Sequence, residues 1–456
     1  MIVDLELPRV AVGGGRNVLL CTYGSPGDLL PFLAVGLALQ ERGYRATIGT
    51  SPSYRGRVEA LGLGFAPIRP DRREDRADPD FGARVVRGLQ SPGAVFRHMF
   101  LPAFDEAVED TLAAVANADL VVAHTLAFAA GPVAEAKGIP WISATLQPLS
   151  YFSRHDPPAI GPPAFAKALD AGGAAFATLA KGVAGLVLDH WSWPWHRMRD
   201  EIGLPASVGD PIFAGQHSPL LSLALFSSLM GGAQTDWPAN TLVTGFPFLD
   251  DPGAPGISPE LAAFLAAGEP PLVFTLGTTA VWEAGGFYEI SAAAAARLGM
   301  RAVLLCGSDC RNRPERLPAG VLAAEYAPHG QLFPRVAAVV HQGGIGTLAQ
   351  TLRAGIPMIV VPFAHDQPDN AARMVRLGVG SRIERNHYTV EAVVTALHDI
   401  LGDPIRRRRA RELGQRIRME DGAAVAAAAI DRIIGSRGAM PASRSRSPAG
   451  SAGVPC

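Results

Sequence analysis

The chain has little cysteine, few aromatic residues and no excess of either charge. Its four cysteines, Cys21, Cys306, Cys310 and Cys456, are too scattered over 456 residues to make a disulfide framework. Cys306 and Cys310 have no second Cys/His pair nearby, so no metal site is expected. A formal net charge of −1 excludes the basic field of a nucleic-acid-binding protein. The run Arg406-Arg407-Arg408-Arg409 is local and reads as a solvated helix face. No run of about 18 uncharged apolar residues occurs, so no membrane-spanning helix is expected. Asp4 and Glu6 stand where a secretory signal would be basic, so the expected location is the cytoplasm. What the chain does have is 48% hydrophobic and 18% charged residues, which suits large cores in two or three domains.

The most informative stretch runs from 326 to 370. Ala337–Val340 reads as a buried strand ending at His341, and Gly343-Gly344-Ile345-Gly346 follows as a glycine loop. Leu348, Leu352 and Ala354 then return at helical spacing, Gly355 supplies a stop, and residues 356–361 form a second apolar run. Strand, glycine loop, helix and strand make one βαβ unit. A glycine loop that opens a helix offers unpaired N–H groups and the positive dipole end, which suits a phosphate. The same spacing also serves a tight turn with no ligand. Asp366-Gln367 falls after the next strand, at the same carboxyl edge, where open α/β sheets bind ligands and where an acid and an amide can hold a polyol.

A second glycine loop lies near the start. Asn17–Thr22 reads as a strand, Gly24–Asp28 as a loop, Pro31–Gln40 as a helix and Arg45–Gly49 as a strand, the opening of a doubly wound parallel sheet. Asp28 at the loop-to-helix junction suits a helix cap on residue type alone. Asp119–Ala123 is another strand, and His124 at its end suits either a structural role or contact with a substrate. Residues 71–92 read as an exposed loop, and 94–116 as a helix with Phe96, Met99, Phe100, Phe104 and Val108, which suit core packing or an apolar cleft. Prolines and Trp191, Trp193 and Trp195 mark 150–200 as an inserted helical segment, with the tryptophans packed under a loop or forming a greasy mouth. Residues 247–259 are the best linker, dividing a first domain (1–246) from a second (260–418). In the second, Leu272–Leu276 feeds Gly277-Thr278-Thr279, another small-residue loop. Further strands are expected at 302–306, 321–326 and 358–361, and helices at 286–298, 367–377, 389–401 and 404–416. A helix at 423–434, within the segment 419–436, is followed by a tail (437–456) too poor in apolar residues to order.

Taken together, Tyr326-x-Pro328, His341-x-Gly343-Gly344-x-Gly346-Thr347, Gly355-Ile356-Pro357, Pro362, Asp366-Gln367 and Asn370-Ala371 resemble the donor-binding signature of the family 1 glycosyltransferases. The resemblance covers residues 16 to about 435. Ala364-His365-Asp366-Gln367 and Asp236-Trp237-Pro238 with Thr244-Gly245-Phe246-Pro247 are most similar to the rhamnosyltransferase catalytic chain of rhamnolipid biosynthesis. The resemblance implies the α/β fold called GT-B: two facing Rossmann-like, doubly wound domains with a cleft between them, and a last helix that crosses back onto the first domain. It implies Tyr326 stacked on the nucleotide base beside Ala327. His341, Gly343, Gly344, Gly346 and Thr347 meet the diphosphate with Gly277 and Thr278, and His365, Asp366 and Gln367 meet the sugar. Asp28 matches the catalytic base of bacterial members. His124 stands where plant members carry an Asp that pairs with a catalytic His. The 94–116 region lines the acceptor cleft, so Phe96, Met99, Phe100 and Trp191 imply a hydrophobic acceptor.

These assignments give an inverting transfer of a hexosyl or deoxyhexosyl group from a nucleotide diphosphate sugar, a co-substrate, with no cofactor and no metal. Ala349 replaces the Glu that binds ribose hydroxyls in many plant members, which leans towards a dTDP-sugar such as dTDP-rhamnose. Transfer of glucose from a UDP-sugar to natural products or sterols is the nearest alternative. A nucleotide-sugar epimerase would need no acceptor cleft, and a non-catalytic nucleotide-sugar-binding partner would not need to keep Asp28 and His341. Peripheral contact with the inner membrane face, and a second biosynthetic subunit, stay open because a lipid acceptor would be met there.

Overall fold

The computed structural model describes residues 14–71, 101–161, 163–206, 210–213, 215–250 and 256–438. The leader, most of the 71–92 loop, the start of the expected 94–116 helix with Phe96, Met99 and Phe100, and the end of the tail lie outside them.

The first domain alternates strand and helix: β1 (Asn17–Cys21), α1 (Pro26–Gln40), β2 (Arg45–Thr50), α2 (Arg55–Ala60), β3 (Gly64–Pro67), α3 (Phe104–Val115), β4 (Leu120–His124), α4 (Ala130–Ala136) and β5 (Trp141–Thr145). Three successive helices, α5 (Pro163–Ala171), α6 (Gly173–Trp191) and α7 (Trp193–Glu201), form the insertion before β6 (Ser222–Ala224) and β7 (Thr241–Val243). All seven strands are parallel, in the order β3-β2-β1-β4-β5-β6-β7. The central strands β1 and β4 carry buried apolar runs, Val18–Cys21 and Leu120–Ala123, as strands covered on both faces do.

The second domain runs α8 (Pro259–Ala266), β8 (Leu272–Thr275), α9 (Phe287–Arg297), β9 (Ala302–Leu305), β10 (Val321–Ala324), α10 (His329–Leu332), β11 (Ala338–His341), α11 (Ile345–Ala354), β12 (Met358–Val360), α12 (Gln367–Arg376), β13 (Gly380–Arg382), α13 (Val390–Gly402) and α14 (Pro404–Arg418). Its sheet is parallel in the order β10-β9-β8-β11-β12-β13. Each sheet therefore reverses direction once, between β1 and β4 and between β8 and β11, and such a switch point opens a crevice at the carboxyl edge.

Three expectations change. Helix α1 begins at Pro26 rather than Pro31, because Ser25 caps it and Pro26 occupies the first turn, where a missing N–H costs nothing. Pro31 is therefore carried inside the helix. Strand β10 stops at Ala324, leaving Tyr326 in the loop beyond it. The edge strands β3 and β13 carry no apolar run that would announce them.

The last helix, α15 (Gly422–Gly438), packs on the first domain. Ala426, Ala427, Ala429, Ile430 and Ile434 share a core with Leu29, Phe32, Leu33 and Val35 of α1. Tyr44 Oη donates to Asp431 at 2.5 Å, and Arg42 pairs with the same carboxylate at 3.4 Å. To reach this place the chain crosses the linker at one point: a Cβ on Gly422 would collide with the Gly245 carbonyl. Glu420 fastens the crossing by accepting from Ser227 Oγ at 2.6 Å and from Phe246 N–H at 3.3 Å. Gly422→Ala should lower stability by about 1–3 kcal/mol, the usual effect of overpacking, with α1 itself unaltered. A thermal melt identical to that of the parent protein would show that the crossing has slack.

Candidate active site

At the first switch point, Thr22 and Ser25–Asp28 follow β1 while His124 ends the neighbouring β4, with Cys21 opposite Ala123 in the register. Asp28 occupies the third position of α1 and completes a capping box. Its Oδ2 accepts from Ser25 N–H at 2.7 Å and from Ser25 Oγ at 2.9 Å. The cap reading and a chemical role are therefore compatible. The cap uses one carboxylate oxygen and fixes the rotamer, which leaves Oδ1 for a ligand. His124 is buried against the Phe32 ring, with ring centroids 5.3 Å apart, and shares a hydrogen bond with Thr22 Oγ1 at 3.1 Å. Thr22 Oγ1 in turn donates to the Asp28 carbonyl at 3.2 Å. Burial lowers the His124 imidazole to about 4, against the opposing pull of the Asp28 charge and of a hydrogen bond to the Tyr23 backbone. His124 thus reaches Asp28 through Thr22, as a neutral ring that steadies the loop.

At the second switch point, Thr275 ends β8 opposite His341 of β11. His341 is fully buried. Its Nδ1 accepts from Gly343 N–H at 3.0 Å, and its Nε2 lies 3.4 Å from Met358 Sδ. Desolvation depresses it to about 3, with the nearby His329 adding to the effect. Both ring nitrogens thus have a partner inside the protein, and the ring pins the glycine loop. Gly344 caps α11, and a Cβ on Gly346 would meet nothing within 4 Å, so open space lies over the first turn of this helix. Thr347 is buried at the same turn, and Thr278 is exposed on the facing loop. Sequence reasoning missed Gln342. Its amide lies between the loops, since a side chain on Gly277 (φ 64°) would run into it, and its buried Oε1 has no partner among the described residues.

Tyr326 is 58% exposed, as a stacking surface must be, while Ala327 is buried and offers only its main chain. His365 sits in left-handed backbone (φ 60°) at the cleft. It is exposed to solvent, while desolvation lowers its imidazole against the opposing charge of Asp28. Gln367 turns its Oε1 inward to the N–H groups of Phe363 and Ala364, at 2.8 and 3.0 Å. Asn370 Nδ2 joins the two donor-side loops by donating to the Gly343 carbonyl at 2.8 Å and to Asp366 Oδ2 at 2.6 Å. Desolvation pushes the Asp366 carboxyl up to about 7, and the Asp28 charge on the other domain adds to that rise. His365 feels the same Asp28 charge. The turn at 365–367 and the loop at 24–28 therefore face each other across one cleft.

On the acceptor side, Trp191 ends α6 and its side chain lies outside the described residues. Trp195 is buried with Tyr23, Phe104 and Met198 and donates Nε1–H to the Phe128 carbonyl at 3.1 Å, which is core packing. Trp193 is 58% exposed. No helix among the described residues is long and apolar enough to cross a membrane.

Comparison with known proteins agrees with this geometry. Residues 18–150 match the glycosyltransferase family 28 N-terminal domain, and residues 291–428 match the C-terminal domain of erythromycin biosynthesis protein CIII-like proteins. The chain is 34% identical over 433 residues to the O-mycaminosyltylonolide 6-deoxyallosyltransferase of Streptomyces fradiae, covering 89% of this chain and 94% of that one. Among solved structures it superposes on the glycosyltransferase VinC in complex with dTDP (TM-score 0.67, 18% identity, 92% and 100% coverage). It also superposes on the spinosyn rhamnosyltransferase SpnG complexed with thymidine diphosphate (TM-score 0.63, 19% identity, 92% and 99% coverage). The chain belongs to the family 1 glycosyltransferases of the GT-B fold, and it is a nucleotide-sugar glycosyltransferase.

The raised Asp366 carboxyl has a pH signature. An unfolded carboxyl titrates at about 4, so its preference for the neutral form favours the fold below that pH, and the advantage is lost as pH rises through about 7. Asp366→Asn should therefore raise Tm more at about pH 8 than at about pH 5. Equal shifts at both would mean that the carboxyl is not held neutral.

Proposed function

We propose that this enzyme transfers a deoxyhexosyl group from a dTDP-sugar to a hydroxyl of a hydrophobic, natural-product or lipid-like acceptor, by a single inverting displacement with Asp28 as general base. The observation that carries this reading is the apposition of Asp28 with His365 and Asp366, whose protonation its charge biases across the cleft. A base from one domain opposite a polyol-binding turn of the other is what direct displacement at a sugar carbon needs.

The donor end of the site supplies hydrogen-bond donors rather than cations. The first turn of α11 and the loops around Gln342 would stabilise the leaving diphosphate through N–H groups and the helix dipole. Asp366, near neutral pH partly protonated, can donate to or accept from a sugar hydroxyl. The deoxyribose preference rests on Ala349, buried on α11 where a ribose-binding carboxylate would stand. The S. fradiae relative is named for a 6-deoxy sugar, and VinC and SpnG are solved with thymidine diphosphate, which supports the same choice. Rhamnose is the narrower form of this reading, and His124 acts through Thr22 on the loop that holds Asp28.

Asp28→Asn keeps an oxygen for the cap and removes the base. Turnover should fall by about 10²–10⁴, with dTDP affinity unchanged in calorimetry. A variant of normal turnover would remove Asp28 from the mechanism. In the same calorimeter dTDP should bind more tightly than UDP. If UDP bound about tenfold tighter, or about 1.4 kcal/mol, the donor assignment would fall while the fold and base remained.

A further inference from the structure

Arg373 is 3% exposed, and it is shared between the two domains. Its Nε donates to Asp369 Oδ2 on its own helix at 2.7 Å. Its Nη1 donates across the interface to Asp156 Oδ2 at 2.5 Å and to the Met230 carbonyl at 2.6 Å. Arg376 pairs with the other oxygen of Asp156 at 3.2 Å. The first domain answers in kind: Ala159 N–H donates to Asp369 Oδ1 at 3.0 Å. Two segments of the first domain, 156–159 and Met230, thus converge on one helix of the second.

These segments are not peripheral. The 148–160 loop leaves the carboxyl end of β5, on the cleft side of the first sheet. It is anchored there by Ser153 Oγ and Arg154 N–H, each 2.7 Å from an oxygen of Asp236, and by Tyr151 stacked 4.2 Å from the Trp237 ring. Helix α12 begins at Gln367 with Asp366 as its cap residue. Seven residues of rigid helix, about 10 Å at 1.5 Å per residue, separate Arg373 from the turn that faces Asp28.

We infer that Asp156 and Arg373 are positioning residues that set the register between the acceptor-side loop and the sugar-binding turn. This rests on the proposed role of Asp366 at the donor sugar. Adhesion between the domains has another source, the apolar cluster in which Phe226, Met230 and Trp237 meet Leu348, Leu352 and Met374. That cluster can slide, because apolar contacts have no direction. A buried ion pair cannot, because displacing one partner strands a charge without solvent, so it adds register where it adds little net stability. A displacement of the 156–159 segment, by an acceptor that presses on its loop, is thereby passed along α12 to the residues that hold the donor.

The test uses Asp156→Asn, which keeps the shape and removes the charge, and Asp156→Glu, which keeps the charge. Interdomain distances are read by electron–electron resonance between labels on exposed Cys310 and on Glu59→Cys, in a Cys456→Ser background. The Asp156→Asn protein should show a broadened distance distribution and a kcat/KM at least about tenfold lower, in line with the sensitivity of transfer to small misplacements, with dTDP affinity little changed and any fall in Tm limited by Asp369, which still pairs with Arg373. Asp156→Glu should restore most of both readouts. An unbroadened distribution, or broadening without loss of kcat/KM, would overturn the inference. So would parallel loss of Tm, nucleotide affinity and turnover, which marks a merely structural contact. If the parent protein bound no nucleotide diphosphate, the proposed function would fail instead, and the distance distribution alone would decide the register.

Discussion

The main chain passes between the domains twice, at the linker and before the last helix, and both passages touch at Gly245 and Gly422. The rest of the architecture depends on this contact. Glu420, its carboxyl raised by desolvation and held by Ser227 and Phe246, binds the second passage to the end of β6. From there α15 reaches α1, the helix that begins with the Asp28 cap. The last described helix is therefore packed against the element that positions the proposed base. A domain that contributes the donor site also contributes, through its last helix, to the rigidity of the opposite wall.

Each wall of the cleft is built the same way. A parallel sheet reverses its winding, two strand ends diverge, and the loops that follow fill the gap. In both places a buried histidine closes the neighbouring strand, and in both desolvation keeps the ring neutral. His124 steadies the loop of Asp28 through Thr22, and His341 steadies the glycine loop through Gly343. The two histidines look like reactive groups in the sequence because they sit at strand ends beside glycine loops. Their hydrogen bonds make them supports for the loops beside them.

What the sequence revealed and what it hid follow from the range of the interactions. The unit β11-α11-β12 was legible because its apolar runs, glycines and helical spacing are all local. Strands β3 and β13 were not, since Gly64–Pro67 and Gly380–Arg382 pair at sheet edges and carry no hydrophobic pattern of their own. The start of α1 was misplaced because Pro31 reads as a beginning, whereas the capping box of Ser25 and Asp28 had already started the helix. The partners of His341, a sulfur and a main-chain N–H, were hidden because only the fold brings them to it. Gln342 and Arg373 gave no signal as candidates because the groups they meet come from distant segments, whereas Asn370 entered as part of the donor signature without a role. Gln342 alone carried a local cue, as a polar residue between a histidine and two glycines.

Charge is distributed across the cleft in a way that bears on the chemistry. The proposed base wall carries a carboxylate, and the facing wall carries a carboxyl whose pKa near 7 leaves it partly protonated at neutral pH. Two full negative charges so placed would repel each other and the diphosphate of a donor as well. Keeping Asp366 partly protonated reduces that repulsion, while Asn370, which donates to its Oδ2, stabilises the fraction that is charged. On the proposed reading the donor end meets the diphosphate with a helix start and amide groups, beside a glycine loop that the buried His341 holds through Gly343. On the proposed mechanism such preorganised dipoles serve where a mobile cation would have to be ordered, since negative charge grows on the leaving diphosphate only as the sugar bond breaks.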